Sequence, residues 1–293
     1  MQANNFIGID SHQHFWDIGK FSYPWMSGVP QLKRNFLPQD LKPHLDSCGI
    51  SKSIIVQADT SVEETIWLLE IADNHDFIAG VVGWVDLESD DVEYVVEKLS
   101  SNSKLIGIRH LVHDEIENDW ILRPKVIRGL KVLASVGLSY DLLVRPVHLK
   151  FIPELMELVP DLRAVVDHIA KPNIFKHEIE SWESDLEEVA KIDGIYCKFS
   201  GMVTEADYSE WSSFQDQNEL IDVISQQIAP YAGIVKKLFG IDRLIWGSDW
   251  PVCTIAVPYE VVYSAALKSL GNLNQQEKKL LLSGNAMSFY RLS

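Results

Sequence analysis

Eight apolar runs of strand length are spread along the whole of this chain, and most are followed by a longer segment in which apolar residues return with helical spacing. The runs are Phe6–Asp10, Lys52–Gln57, Ile78–Val85, Leu105–Ile108, Ser139–Val144, Arg163–Asp167, Ile195–Phe199 and Leu244–Gly247. Candidate helices lie between them, at about 39–48, 61–74, 90–100, 122–136, 148–159, 179–192, 216–239 and 258–270. Parallel strands need long crossovers, and amphipathic helices supply them, so this alternation predicts a parallel sheet covered by helices. Eight such units close into a (β/α)8 barrel, whereas six or seven would leave an open doubly wound sheet. The count favours the α/β barrel, as one domain over residues 1–293. An additional C-terminal helix is expected over 274–290, opened by Asn274 three positions before Glu277 in the pattern of a capping box.

With 293 residues, 46% of them hydrophobic, the chain can bury a core of barrel size. Met1 to Asn5 are polar and run straight into the first strand, which is not the layout of a signal peptide, and no window is long and apolar enough to span a membrane. A cytoplasmic location is the expectation. Cys48, Cys197 and Cys253 are too few and too scattered for a disulfide framework or a paired-cysteine metal site. A net charge of -16 argues against nucleic-acid or anionic-membrane partners, which require clustered Lys and Arg. The expected partner is a small molecule, and whether the chain forms a homo-oligomer is left open.

In a parallel barrel the C-terminal ends of all strands share one rim, so polar residues just past distant strands converge on one pocket. Strand one runs into Asp10-Ser11-His12-Gln13-His14, where two-residue alternation turns His12 and His14 to the same side. Strand six runs into Asp167-His168 and strand eight into Ser248-Asp249-Trp250. Three imidazoles and a carboxylate on one rim form either a mononuclear metal site with an open position or a metal-free acid–base cluster. Asp249 is the candidate general base, while Asp10 and Asp167 are expected to orient neighbouring groups. Strands four and five end at Arg109 and Arg145, whose guanidinium groups suit a carboxylate, sugar hydroxyls or a developing oxyanion. On strand seven Ser200 is a candidate ligand contact and Lys198 a candidate barrel-interior residue. Trp16 and Trp250 are candidate apolar walls against a ring. The long segment 17–38 carries Phe21, Tyr23 and Trp25 and is expected to act as an active-site lid with Trp25 at the substrate, or as an aromatic plug.

Three strings together resemble one family: His12-Gln13-His14-Phe15-Trp16, Asp167-His168-Ile169-Ala170-Lys171-Pro172 and Gly247-Ser248-Asp249-Trp250-Pro251. They are similar, in order and spread, to the first-strand, middle and eighth-strand motifs of the amidohydrolase-2 group of the amidohydrolase superfamily. Within it they resemble the sugar-lactonase branch, which includes L-fuconolactonase, L-rhamnonolactonase and 2-pyrone-4,6-dicarboxylate lactonase. Ser283-Gly284-Asn285-Ala286 is similar to the group's last helix. The resemblance implies a hydrolase that opens a lactone ring with water, its catalytic or metal-site residues being His12, His14, His168 and Asp249. The bridging lysine of two-metal members is replaced here by Arg109 and His110, so one Zn2+ or no metal at all is expected.

On this reading His12, His14 or a metal, with Arg109 or His168, orients the lactone carbonyl, and Asp249 takes the proton of the attacking water. A sugar-acid lactone such as L-fucono- or L-rhamnonolactone is preferred over an aromatic dicarboxylate, because only two rim arginines are evident. Two rivals stand beside it: a metal-dependent decarboxylase of an unsaturated or aromatic acid, and a catalytically silent barrel that binds a metabolite.

Overall fold

The computed structural model describes residues 7–292. Eight parallel strands follow one another in sequence order around a single sheet: β1 (Gly8–Gln13), β2 (Ile50–Val56), β3 (Ile78–Gly83), β4 (Leu105–His110), β5 (Ser139–Leu142), β6 (Arg163–Val166), β7 (Tyr196–Phe199) and β8 (Leu244–Trp246). Polar bonds bring β8 back to β1: Asp249 N donates to His12 O at 2.8 Å, His14 N to Trp250 O at 2.7 Å and Ser11 Oγ to Trp246 O at 2.5 Å. The result is a nearly closed (β/α)8 barrel.

Each expected helix is present, within about two residues at most ends, as Pro38–Ser47, Val62–Asp73, Val92–Ser100, Pro124–Val136, Glu180–Ala190, Gln217–Phe239 and Tyr259–Ser269, with one exception. The segment expected as one helix over 148–159 is two, Pro146–Leu149 and Ile152–Leu158. Pro153 lacks the N–H a continuous helix would need, and it sits instead in the first turn of the second helix, where that donor is not required. The C-terminal helix is opened by Asn274 and Glu277 bonding each other's backbone N–H, as the capping pattern predicts, and runs through a π-helical stretch, Leu280–Gly284, to Tyr290.

The strand ends differ from the sequence expectation where they matter most. From sequence, strand one stops at Asp10, but β1 continues through Ser11, His12 and Gln13, all buried, with the pairing to β2 irregular after Asp10 and resumed at Gln13. Likewise β4 continues through Arg109 and His110. Polar side chains read as loop when the interior is assumed apolar, yet at the catalytic end of a barrel the interior is where such side chains point. Phe6, placed in strand one from sequence, lies outside the described residues.

Two apolar layers hold the barrel. The larger fills the space between strands and helices. The smaller fills the lower barrel interior with Ile9, Ile54, Val56, Val82, Ile106, Val165 and Ile245, closed from beneath by Ala286, Phe289 and Tyr290 of the last helix. Above that floor the interior turns polar, and the site begins.

Candidate active site

His12 comes from within β1 and His14 from just beyond it, their ring centroids 5.0 Å apart. His168 follows β6 at the head of a run of four residues, His168 to Lys171, all with positive φ, a local bend that turns its ring to within 4.4 Å of His12. Asp249, also at positive φ, follows β8. Its Oδ1 lies 3.3 Å from His14 Nε2 and 3.9 Å from the Nε2 of both His12 and His168. All four side chains are buried, and the carboxylate is the common point on which the three imidazoles converge.

Each member is held by a partner behind it. His14 Nδ1 is 2.8 Å from the Val56 carbonyl, which can only accept, so Nδ1 carries a proton and Nε2 faces Asp249. His168 Nδ1 is bonded to Ser200 Oγ at 2.9 Å. Asp10, fully buried, accepts from Ser248 N and Oγ, from Tyr259 OH and from His12 N, clamping the β8 end to β1 and so fixing Asp249 against the two histidines. Burial pushes the Asp10 carboxyl up to about 6 against those bonds. Burial likewise pushes His12 and His168 well below the ordinary imidazole range, helped at His12 by Lys198 and Arg109 and at His168 by His12, so both rings are neutral.

Arg109 reaches the cluster from β4, but its guanidinium is tied to protein. Nη2 donates to Gln57 O at 2.6 Å and to Gln57 Oε1 at 3.2 Å, while Nη1 lies 3.3 Å from Asp167 Oδ2 and 3.2 Å from His12 Nε2. Asp167, whose carboxyl burial would raise, is instead held below its usual range by Lys198 and Arg109.

Over the cluster opens a cavity of about 220 Å3. Its polar side is His14, Arg109, His168 and Asp249, and its apolar side includes Trp25, Leu111, Leu143 and Val252. Of the aromatic candidates only Trp25 lines it. Trp16 and Trp250 are buried behind, packed around Phe36, and Ser200 sits behind His168 rather than at the cavity. Arg145 is exposed and outside the lining. Segment 17–38 is tied down by hydrogen bonds: Tyr23 OH donates to the buried Glu64 at 2.9 Å, Trp25 Nε1 to Ala58 O at 2.9 Å and Trp16 Nε1 to Arg34 O at 2.8 Å. His113, Asp114 and Lys171 also line the cavity; from sequence His113 is a candidate contributor with a structural role favoured, and the other two are not singled out as ligand contacts. They too follow strand ends, and reading every strand end to six residues reaches all three.

The donor set suits a divalent ion. His12, His14 and Asp249 present ligand atoms within 4.8 Å of one another, and the His14 lone pair and the Asp249 oxygen face each other at 3.3 Å, an arrangement that calls for a positive charge between them.

The comparisons with known proteins agree with this geometry. A family model described as amidohydrolase matches residues 9–292. An L-fucono-1,5-lactonase of Burkholderia ambifaria is 34% identical over 97% of this chain and 95% of its own length. An L-fucono-1,5-lactonase of Burkholderia multivorans is 32% identical over 98% of this chain and 96% of its own. A crystal structure of an amidohydrolase from Burkholderia multivorans with bound zinc superimposes with a TM-score of 0.85, at 32% identity, over 98% of this chain and all of that one. With a full-length family match, two relatives above 30% identity and the same barrel, this chain belongs to the amidohydrolase family.

Proposed function

We propose that this protein is a carboxylic ester hydrolase, a lactonase that opens the ring of a neutral sugar-acid lactone such as L-fucono-1,5-lactone or L-rhamnonolactone. The observation that carries the reading is the Asp249 carboxylate at the floor of a small cavity, within 3.9 Å of three imidazoles and beside an immobilised guanidinium. The full-length relatives named for L-fucono-1,5-lactone support the substrate class.

In the reaction, Asp249 takes a proton from a water as its oxygen adds to the lactone carbonyl carbon. The carbonyl oxygen becomes an oxyanion, met by Arg109 and His168, donors already in place and therefore costing no reorganisation in the transition state. As the tetrahedral intermediate collapses, the bond from carbon to ring oxygen breaks and protonated Asp249 returns its proton to that oxygen, leaving a hydroxy acid. His12, His14, His168 and Asp249 would hold one divalent ion, with zinc the species bound in the relative's structure. Such an ion supplies Lewis-acid polarisation of the carbonyl and acidifies a bound water.

Charge in the cavity separates a neutral lactone from a dicarboxylate. Arg109 Nη2 is committed to Gln57 and its Nη1 also faces Asp167, so it can offer a ligand a single N–H but no fork, and Lys171 is paired with Glu205 at 2.9 Å, so neither lining cation can clamp a substrate carboxylate with two bonds. The cavity, about 220 Å3, is below the range of about 300–1,000 Å3 usual for drug-sized ligands and fits a single sugar ring. We place the protein in the cytoplasm, in keeping with its three unbridged cysteines.

The test is acid release, followed with a pH indicator, on a panel of sugar 1,4- and 1,5-lactones and pyrone dicarboxylates, with chelated and Zn2+-loaded protein. One sugar lactone is expected to be opened, and Asp249→Asn is expected to lower kcat by roughly 10³-fold or more, as loss of a reacting base does. Failure to open any lactone in either metal state would overturn the reading.

A further inference from the structure

The reaction above takes up His14, Arg109, His168 and Asp249, and three polar residues that line the same cavity are left over: His113, Asp114 and Lys171. His113 and Asp114 face each other, Nε2 to Oδ1 at 3.4 Å. Lys171 is answered only in part. Its Nζ donates to Glu205 Oε1 at 2.9 Å, and an ammonium carries three N–H donors, for which no other acceptor is present among the described residues.

Two features hold this side chain where it is. Lys171 closes the run of four residues at positive φ, at φ 48° and ψ 57°, a region that residues with side chains adopt rarely and that concentrates at ligand sites. The run is fixed by Lys171 N donating to His168 O at 2.8 Å and by the Trp182 indole N–H donating to Ile169 O at 2.8 Å. The second feature is Glu205, which ends the short helix Met202–Glu205 after β7. Its carbonyl accepts from Phe175 N at 2.8 Å, so the segments that follow β6 and β7 are joined by backbone as well as by the ion pair. The two side chains of that pair are 16% and 19% exposed. A pair so far withdrawn from water gives up solvation that its attraction barely repays, so stability alone is a poor reason for it. Glu205 also offsets the charge of the ammonium, which leaves directed N–H donors suited to a neutral oxygen rather than to an anion.

We infer that Lys171 is a specificity-determining residue, held by Glu205 to donate a hydrogen bond to a hydroxyl oxygen of the sugar-lactone ring while the ring's carbonyl lies over Asp249. The inference rests on the lactonase reading for the identity of the ring, and its first test does not need hydrolysis.

That test is isothermal titration calorimetry with L-fucose, a neutral sugar ring with no lactone to open. Lys171→Met is expected to bind it about 10- to 100-fold more weakly than the wild type does, the scale of a lost hydrogen bond from a charged donor. Equal affinity in the two proteins, or none in either, overturns the proposal. In kinetics, kcat/KM for L-fucono-1,5-lactone relative to δ-valerolactone, a six-membered lactone without hydroxyls, should fall by a similar factor in Lys171→Met. An equal loss on both substrates would place Lys171 in the support of its loop and not at a hydroxyl, and the proposal fails. A wild type that binds L-fucose yet opens neither lactone sinks the lactonase reading, and the calorimetry still decides the role of Lys171. The double variant Lys171→Met/Glu205→Met leaves no unpaired charge and should regain thermal stability lost in the single variant but not the affinity. Recovery of both would mean that the pair is structural only, which overturns the proposal.

Discussion

His168 shows how much of a catalytic position is decided by its immediate neighbours. Its ring is set by one hydroxyl, Ser200 Oγ, and by one absent side chain: a Cβ on Gly201 would lie 2.5 Å from His168 Nδ1, and Gly201 is also at φ +68°. Replacing Ser200 with Ala leaves the ring free to rotate, and kcat is expected to fall about 10- to 100-fold at nearly constant KM, with Ser200→Thr recovering most of it. Steady-state kinetics on the two variants checks this, and an unchanged kcat in Ser200→Ala would remove Ser200 from the site's support. His12 faces a similar constraint on the other side, where a Cβ on Gly247 would lie 2.5 Å from its own Cβ. Neither glycine carries a signal that a sequence pattern can register, because the close approach is between strands far apart in the chain.

At the scale of elements, segment 17–38 delivers one wall of the cavity. Trp25 lines it while its indole N–H is tied to Ala58 and its ring packs edge-on against Trp16, centroids 5.4 Å apart. Trp25→Ala is expected to raise KM about tenfold through lost apolar contact with the sugar ring, worth about 1.4 kcal/mol, with kcat within threefold. Trp25→Phe should keep most of the affinity. A fall in kcat with KM unchanged would instead assign the segment a role in the chemistry. The aromatic content of this segment was legible in the sequence. Its tether to the barrel was not, since that is made by Tyr23 reaching Glu64, 41 positions away.

Across the whole molecule, buried titratable groups pull stability in opposite directions with pH. His12, His110, His113, His148 and His168 are pushed down by burial, His113 to about 3, so between pH 7 and 5 the unfolded chain takes up protons that the folded one refuses. Asp10 and Asp141 are raised to about 6 and Glu64 to about 7, again by burial, so in the same window the folded state holds protons the unfolded chain gives up. The histidines outnumber these acids, so stability should decline as pH falls from 7 to 5. Urea denaturation at a series of pH values measures it. Glu64→Gln removes one opposing group and should steepen the decline, and a shallower slope would contradict the assignment.

How much of this was written in the chain follows from what kind of force decides each feature. Strand and helix alternation, the capped terminal helix and the rim positions of His12, His14, His168 and Asp249 are set by local periodicity and by one topological rule, that parallel strands in a barrel end on the same face. These a sequence determines by itself, because every term involves residues close along the chain or a fixed handedness of connection. The continuation of β1 and β4 through buried polar residues, the tethering of Arg109 by Gln57 and Asp167, the burial of Trp16 and Trp250 behind the wall that Trp25 forms, and the contact of Lys198 with His12 were decided only by the tertiary structure. Each depends on hydrogen bonds or packing contacts formed in the folded barrel, such as Gln13 with Ser53, Arg109 with Asp167 and Lys198 with His12, whose energy exists only once the barrel has closed and excluded water around them.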